Sequence, residues 1–281
     1  MDSPEIFDRQ LRRLRRDRAA PGFAGFDFLR AHMLDGIAER LGSVKYAFTD
    51  VLDLGCGDGT FALPGARIAR VDAGYGFART ARGVQADEDR LPFADHSFDL
   101  IVSAGVLDTV NDLPGALTLA RRVLRPDGLF LGAFVGAGSL PALRTAFTAG
   151  EGERPAARLH PQIDVRGAGD LLMRAGFALP VADSETLTVR YSGLFGLLRD
   201  LRGMAATSLL PAPAPLSRAT LARGAEAFAA RADPDGKTAE QFEIVYLTGW
   251  SPAPSQPKPA RRGSATSSLA AALRKPPAVP G

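Results

Sequence analysis

Three carboxylates and three alternating glycines offer this chain its clearest chemistry. Residues 51–59 read VLDLGCGDG, an apolar run from Val51 to Leu54 that contains Asp53, followed by Gly55, Gly57 and Gly59. A buried strand ending in such a loop lets backbone, with no Cβ in the way, approach a bulky polar small molecule. A phosphate loop is the natural rival. It requires a Lys followed by Ser or Thr, or the wider spacing G-x-G-x-x-G, and this segment has neither. Asp72 ends the next apolar run, RIARVD, and its alternative reading is a turn residue before Ala73 and Gly74. Asp87 follows a third short run, in ADEDRLPF. Downstream, Asp108, Asn111 and Asp112 are the first polar groups to test for catalysis, with helix capping an equal alternative for Asp112. An oxygen-activating site of two histidines and a carboxylate would have to draw on His32, His96 and His160. None of them stands in a metal-ligand spacing, and no metal is expected. The single cysteine, Cys56, excludes an intrachain disulfide and reads as a small turn residue between two glycines.

These groups need a scaffold that brings strand ends together. From residue 50 onward strands and helices alternate, which predicts an α/β fold with a Rossmann-like, doubly wound sheet. Strands are expected at 50–54, 67–72, 83–86, 98–103 and 128–135. The helix at 113–124 starts on Pro114, and a helix after Asp164 runs to Ala175 before Gly176. Two later runs, 185–190 and 242–249, alternate apolar and polar residues and predict an antiparallel edge to a mostly parallel sheet. About fifty residues separate them, far beyond a hairpin loop. That insert, roughly 191–241, holds a helix at 217–230 and reads either as a helical cap over the ligand cleft or as surface packing. Two helices precede the sheet. In the first, at 5–18, Phe7, Leu11 and Leu14 share one face, and Arg9, Arg12, Arg13 and Arg16 cover the rest. The simpler reading is a solvated basic face; the other is a lid or docking helix with an anionic complement. The second, at 27–41, turns Phe28, Met33, Leu34 and Ile37 inward. The organisation is therefore 1–42, N-terminal helices; 43–250, the sheet domain with its insert; and 251–281, a Pro-rich basic tail expected to be disordered apart from a short helix near 268–274.

Composition bounds the rest. The chain has 281 residues, 46% hydrophobic and 23% charged, as in a globular protein with one substantial core. No apolar run reaches membrane-helix length, so membrane contact is at most peripheral, and MDSPEIFDRQ carries no apolar signal core. A cytoplasmic location is expected. The net charge of +3 sits mostly in the tail, which has seven prolines and no acid after Ser251. That is no argument for a nucleic-acid partner.

The run from Asp53 to Gly59 resembles the first motif of the S-adenosylmethionine-dependent methyltransferases, D/E-x-G-x-G-x-G. The resemblance implies that Gly55, Gly57 and Gly59 pack against the amino-acid and ribose parts of S-adenosylmethionine. Asp53 would meet its ammonium, Asp72 both ribose hydroxyls, and Asp87 the neighbourhood of the adenine amino group. A narrower resemblance rests on IFDRQLRR, FDFLR, ADEDRLPF, VNDLPGAL, RPDGLFLGAF, RAGFALPVAD, YSGLFGLLRDL, YLTGW and ARRGSATSSL in this order. Together they are similar to the methyltransferase-superfamily assembly factors of respiratory complex I, a protein-arginine hydroxylase family, in its alphaproteobacterial form. The biotin-pathway malonyl carrier-protein methyltransferases are more distant relatives over the central domain. The resemblance implies modification of a protein side chain, an arginine of a complex I subunit, by methylation or hydroxylation during assembly.

Two departures from that pattern stand out. Only twelve residues separate Gly59 from Asp72, where the fold normally places a helix of several turns, and at most one turn (Thr60 to Leu63) fits. Where relatives carry His-Trp before Val-Asn-Asp, this chain has Asp108 and Thr109. Both leave open a non-catalytic assembly chaperone with a degenerate cofactor site; a small-molecule methyltransferase is the third alternative. The oligomeric state is not legible.

Overall fold

Apolar stretches separated by helices and loops assemble into one seven-stranded sheet in the computed structural model, which describes residues 5–152, 156–211 and 213–256. The strands are β1 (Asp50–Leu54), β2 (Arg67–Asp72), β3 (Val84–Gln85), β4 (Phe98–Ala104), β5 (Leu124–Val135), β6 (Ala178–Tyr191) and β7 (Thr238–Trp250). Their order is β3-β2-β1-β4-β5-β7-β6. The first five are parallel, and β7 lies antiparallel between β5 and β6. The mostly parallel, doubly wound sheet with an antiparallel edge is as the sequence pattern predicts. The order reverses between β1 and β4, which places a ligand crevice beyond the carboxyl ends of these strands.

The central strands β1, β4 and β5 are buried on both faces and are apolar almost throughout, whereas the outer strands β2, β3 and β6 are partly exposed and mix polar residues in. Val51, Leu100, Val102, Leu129 and Leu131 face one core, shared with Leu29, Met33 and Ile37 of α2 (Phe28–Gly42). Leu52, Leu54, Ile101 and Phe130 face the other, covered by α4 (Leu113–Val123) and α6 (Val165–Arg174). Local chemistry sets the helix starts. Asp112 caps α4 by accepting from Gly115 N–H at 2.8 Å, and Asp164 caps α6 through Gly167 N–H at 2.7 Å. Ser217 caps α8 (Arg218–Ala229) through Thr220 N–H at 3.0 Å. Three helices escaped the sequence reading: α3 (Tyr75–Thr80), α5 (Pro141–Glu151) and α7 (Leu194–Gly203). Glycines at positions 76, 150 and 196 lower their helical signal.

Between β1 and β2 no helical turn forms, within the bound of one turn that the sequence allowed; Thr60–Leu63 is coil that places Phe61 and Leu63 in the core with Leu29, Met33 and Ile37 of α2. Two expectations need correction. The first helix, α1 (Arg9–Ala19), does not present a solvated basic face. Arg12 and Arg16 are buried, whereas Leu14 is 44% exposed. The tail is not free from its first residue either. Ser251 is buried, its N–H donates to Gly128 O at 2.7 Å, and the described body continues to Gln256. The helix near 268–274 lies outside the described residues. No described helix is long and apolar enough to cross a membrane.

Helices α7 and α8 form the insert between β6 and β7, and α8 is seated on α5 at two glycines. A Cβ on Gly150 would lie 2.5 Å from Thr220 O and 3.2 Å from Gly224 N. Gly150→Ala is therefore expected to destabilise the fold by about 1–3 kcal/mol through overpacking, read as a lower urea midpoint at unchanged m.

Candidate functional site

The carboxyl ends of β1, β2 and β3 are neighbours, so Asp53, Asp72 and Asp87 share one rim of the sheet. The glycine loop folds back over that rim. Gly55 and Cys56 N–H both donate to Val71 O, at 2.8 and 2.9 Å. Gly55, Gly57 and Gly59 all have positive φ, and a Cβ on Gly55 would sit 2.3 Å from Val106 Cγ2. The loop is thus anchored to β2 without the helix that usually follows it.

Asp53 is fully buried, with Oδ1 3.4 Å from Arg30 Nη2 and Oδ2 without a partner. Burial pushes its carboxyl up from 3.8 to about 6, against the opposing pull of Arg30 and Arg70. Arg30 comes from α2, also donates to Thr60 Oγ1 at 2.9 Å, and lies against Gly57. Asp72 is saturated. Arg16 Nε and Nη2 reach its two oxygens at 2.7 and 2.5 Å, and the N–H groups of Gly74 and Gly57 add bonds of 2.8 and 3.0 Å.

The same pattern continues along the acidic run after β3. Arg13 Nη2 donates to Asp87 Oδ2 at 2.5 Å, Arg12 clamps Glu88 at 2.7 and 2.8 Å, and Arg9 clamps Asp89 at 2.8 and 2.5 Å. The anionic complement to α1 is therefore inside the molecule. Arginines at i, i+3, i+4 and i+7 fall on one helical face, and the strand ends supply one carboxylate for each. Arg12 and Arg16 bury at some cost, but Glu88 and Asp72 more than offset it and hold both guanidinium pKa values above the ordinary arginine range. Both ends of α1 are pinned. Phe7 exchanges backbone bonds with the Asn111 amide at 2.8 and 2.9 Å, and Gly76 N–H donates to Asp17 at 2.8 Å.

Of the polar trio after β4, the structure thus gives Asn111 to the anchoring of α1 and Asp112 to the cap of α4. Asp108 alone opens into empty space. Its Oδ1 is buried without a partner, and burial raises its pKa. His160 stands beside it, edge-on to Phe7 at 5.4 Å, and burial lowers its pKa despite the carboxylate. The other two histidines are elsewhere: His32 Nε2 meets Glu185 at 2.9 Å, and His96 Nδ1 meets Leu124 O at 2.9 Å. Among the described residues no cluster of three metal-ligating side chains forms. Cys56 is buried, with its thiol pushed well above the usual range by burial and by Asp72 and Asp53.

Two cavities meet at Asp108. One, of about 60 Å³, lies between Arg12, Arg16 and Arg30 on one side and Gly105, Val106 and Asp108 on the other. The second, of about 220 Å³, lies between the β5 and β7 ends and the insert. The rim matches an adenosyl group in its donor set, with glycine backbone and three strand-end carboxylates in the expected order. Its free space does not match while α1 is docked. Small-molecule sites run to roughly 300–1,000 Å³, and all four hydrogen bonds on Asp72 are already made. Glu88, Asp89, Arg30 and the four α1 arginines were missed as site residues; the arginine spacing opposite the acids of ADED was the available signal.

Comparison with known proteins agrees with this architecture. Residues 52–132 match a family model described as a methyltransferase domain. The chain is 34% identical over 284 residues to the mitochondrial arginine-hydroxylase NDUFAF5 of Danio rerio, covering 94% of this chain and 88% of that one. It is 31% identical to a malonyl-[acyl-carrier protein] O-methyltransferase of Gallionella capsiferriformans, over 89% of this chain and 93% of that one. Among solved structures, a candidate methyltransferase from Bacillus halodurans shares the fold, with a TM-score of 0.55 at 15% identity, covering 78% and 98% of the two chains.

Two outcomes are expected at the rim. Arg16→Ala should cost about 3–5 kcal/mol by stranding Asp72, and removing both partners should cost distinctly less than the two single losses added; a double-mutant cycle in urea measures this. Because the folded state holds the Asp53 proton more tightly, that group's stabilising contribution is largest at low pH and is lost as pH rises from 3.8 through about 6. Asp53→Asn should therefore gain stability over the parent across that window and keep the gain at pH 7.

Proposed function

The chain belongs to the NDUFAF5 arginine-hydroxylase family of the methyltransferase superfamily, and we propose that it modifies an arginine side chain of a protein partner, a subunit of respiratory complex I, with S-adenosylmethionine as cofactor. The observation that carries this reading is the meeting, at Asp108, of the second cavity with the space under Arg12, Arg16 and Arg30, the guanidiniums that hold Glu88, Asp72 and Asp53 of the rim. One end suits an adenosyl group and the other an acceptor side chain. Bound there, the cofactor would supply an electrophilic methyl group. Gly55, Gly57 and Gly59 would give it close backbone contact, Asp53 would accept from its ammonium, Asp72 from its ribose hydroxyls, and Asp87 from its adenine amine. The protein's work is then placement and exclusion of water, which accounts for the lack of a catalytic dyad in the sequence.

Loading requires α1 to release its arginines. Asp72 cannot hold Arg16 bidentately and accept two ribose hydroxyls at once, since each of its oxygens already takes two bonds. The docked helix and the loaded cofactor are therefore alternative occupants of the same carboxylates. A second reading, a complex I assembly chaperone without catalysis, is favoured by that same occupancy: the arginine ladder already satisfies the carboxylates that a cofactor would need.

Titration calorimetry separates the two. Replacing the exposed-side pair, Arg9 and Arg13, by Gln should raise adenosylmethionine affinity several-fold, while Asp72→Ala should abolish binding. Absence of binding in every form would favour the chaperone. Mass spectrometry of complex I subunits from cells with and without the gene identifies the reaction. Loss of one oxygen or one methylene from a single arginine is the expected result, and unchanged masses would overturn the enzymatic reading.

A further inference from the structure

The second cavity holds a set of polar atoms that nothing in the protein satisfies. Asp108 Oδ1, His160 Nδ1 and Ser208 Oγ are each buried and each lacks a hydrogen-bond partner, and all three residues line the same space of about 220 Å³. Buried polar groups are ordinarily paired, so three in one cavity call for an occupant that donates hydrogen bonds. The rest of the wall is largely aliphatic and aromatic, including Leu140, Leu143 and Phe242. The cavity also shares Leu29, Asp108, Val135 and Ala206 with the space under the α1 arginines, so its polar end opens toward the guanidiniums that clamp the rim.

We propose that this cavity is the acceptor subsite, and that it takes an alkyl side chain ending in a guanidinium, bound by Asp108, His160 and Ser208. The inference rests on the reading that a protein arginine is modified, and adds where that arginine sits and what recognises it. All three orphaned atoms can accept: a carboxylate oxygen, the bare nitrogen of a neutral imidazole and a hydroxyl oxygen. A guanidinium is the side-chain group with five donors and no acceptor, on a stem of three methylenes that suits an apolar wall. An ammonium offers three donors from a single point, a poorer match to acceptors carried by three different residues. An anion would meet the unpaired Asp108 carboxylate. Arg15 also lines the cavity, but its Nη1 is turned to Ser208 O, and it does not approach Asp108 within hydrogen-bonding distance. Gln162 and Arg158 at the wall are already engaged, by Arg144 and by Glu151.

The test uses the full chain and two blocked tripeptides that differ only in a central arginine or its neutral isostere citrulline. Binding is followed through the three histidine imidazole signals by NMR, with His160 assigned from His160→Gln. The arginine peptide should shift His160 and leave His32 and His96 unmoved; the citrulline peptide should bind at least tenfold more weakly. Asp108→Asn should reduce arginine-peptide affinity tenfold or more, and Ser208→Ala several-fold, with the unfolding midpoint of each variant confirming that it is folded. An octanoate probe that shifts His160 where the arginine peptide does not, or an affinity unchanged by Asp108→Asn, would overturn the subsite. Should cells carrying Asp108→Asn still modify the target arginine to the normal extent, the subsite assignment fails while the reaction stands. Should parent cells show no such modification, it is the reaction that fails.

Discussion

The pairing of one basic helix face with one acidic sheet rim is the constraint on which the rest of this structure depends. Four arginines of α1 meet Asp72, Asp87, Glu88 and Asp89, and the two most buried guanidiniums are clamped bidentately. Neither side can be withdrawn alone without leaving charge in a poorly solvated place, which costs several kcal/mol per pair. That coupling fixes α1 against the strand ends and closes the crevice at the switch point.

The glycine loop is built to match. With no helix between β1 and β2, no helix N-terminus points at the loop, and the positive charge that such a terminus would contribute comes instead from Arg30 of α2. The same helix covers the sheet face with Leu29, Met33 and Ile37, beside Phe61 from the shortened connection. One element thus replaces a lost helix in packing and in electrostatics. Asp53 remains the uncompensated point, with one oxygen unpaired and its proton affinity raised.

The insert between β6 and β7 contributes to the second cavity through Leu198, Leu201 and Ser208. Its seat on α5 depends on glycine at 150 and 224, where a side chain would strike backbone. Asp108 lies at the junction of the two spaces. Its neighbours in sequence, Asn111 and Asp112, serve α1 and α4 respectively, so a single five-residue segment lines both cavities, anchors α1 and caps α4.

Much of this was legible from the chain alone. Strand and helix alternation, the VLDLGCGDG turn, the caps at Asp112 and Asp164 and the antiparallel late strands are short-range signals, and local sequence determines them through periodicity and backbone stereochemistry. The order of Asp53, Asp72 and Asp87 along one rim also follows, because parallel strands of a doubly wound sheet end on the same side. What the sequence could not decide was where the arginine face of α1 would point. An amphipathic pattern ranks faces by apolarity, and by that measure Leu11 and Leu14 should have been inside. Only the folded sheet gathers four carboxylates in range of four guanidiniums, and Coulomb attraction between groups 56 to 80 residues apart then outweighs the apolar preference of one short helix.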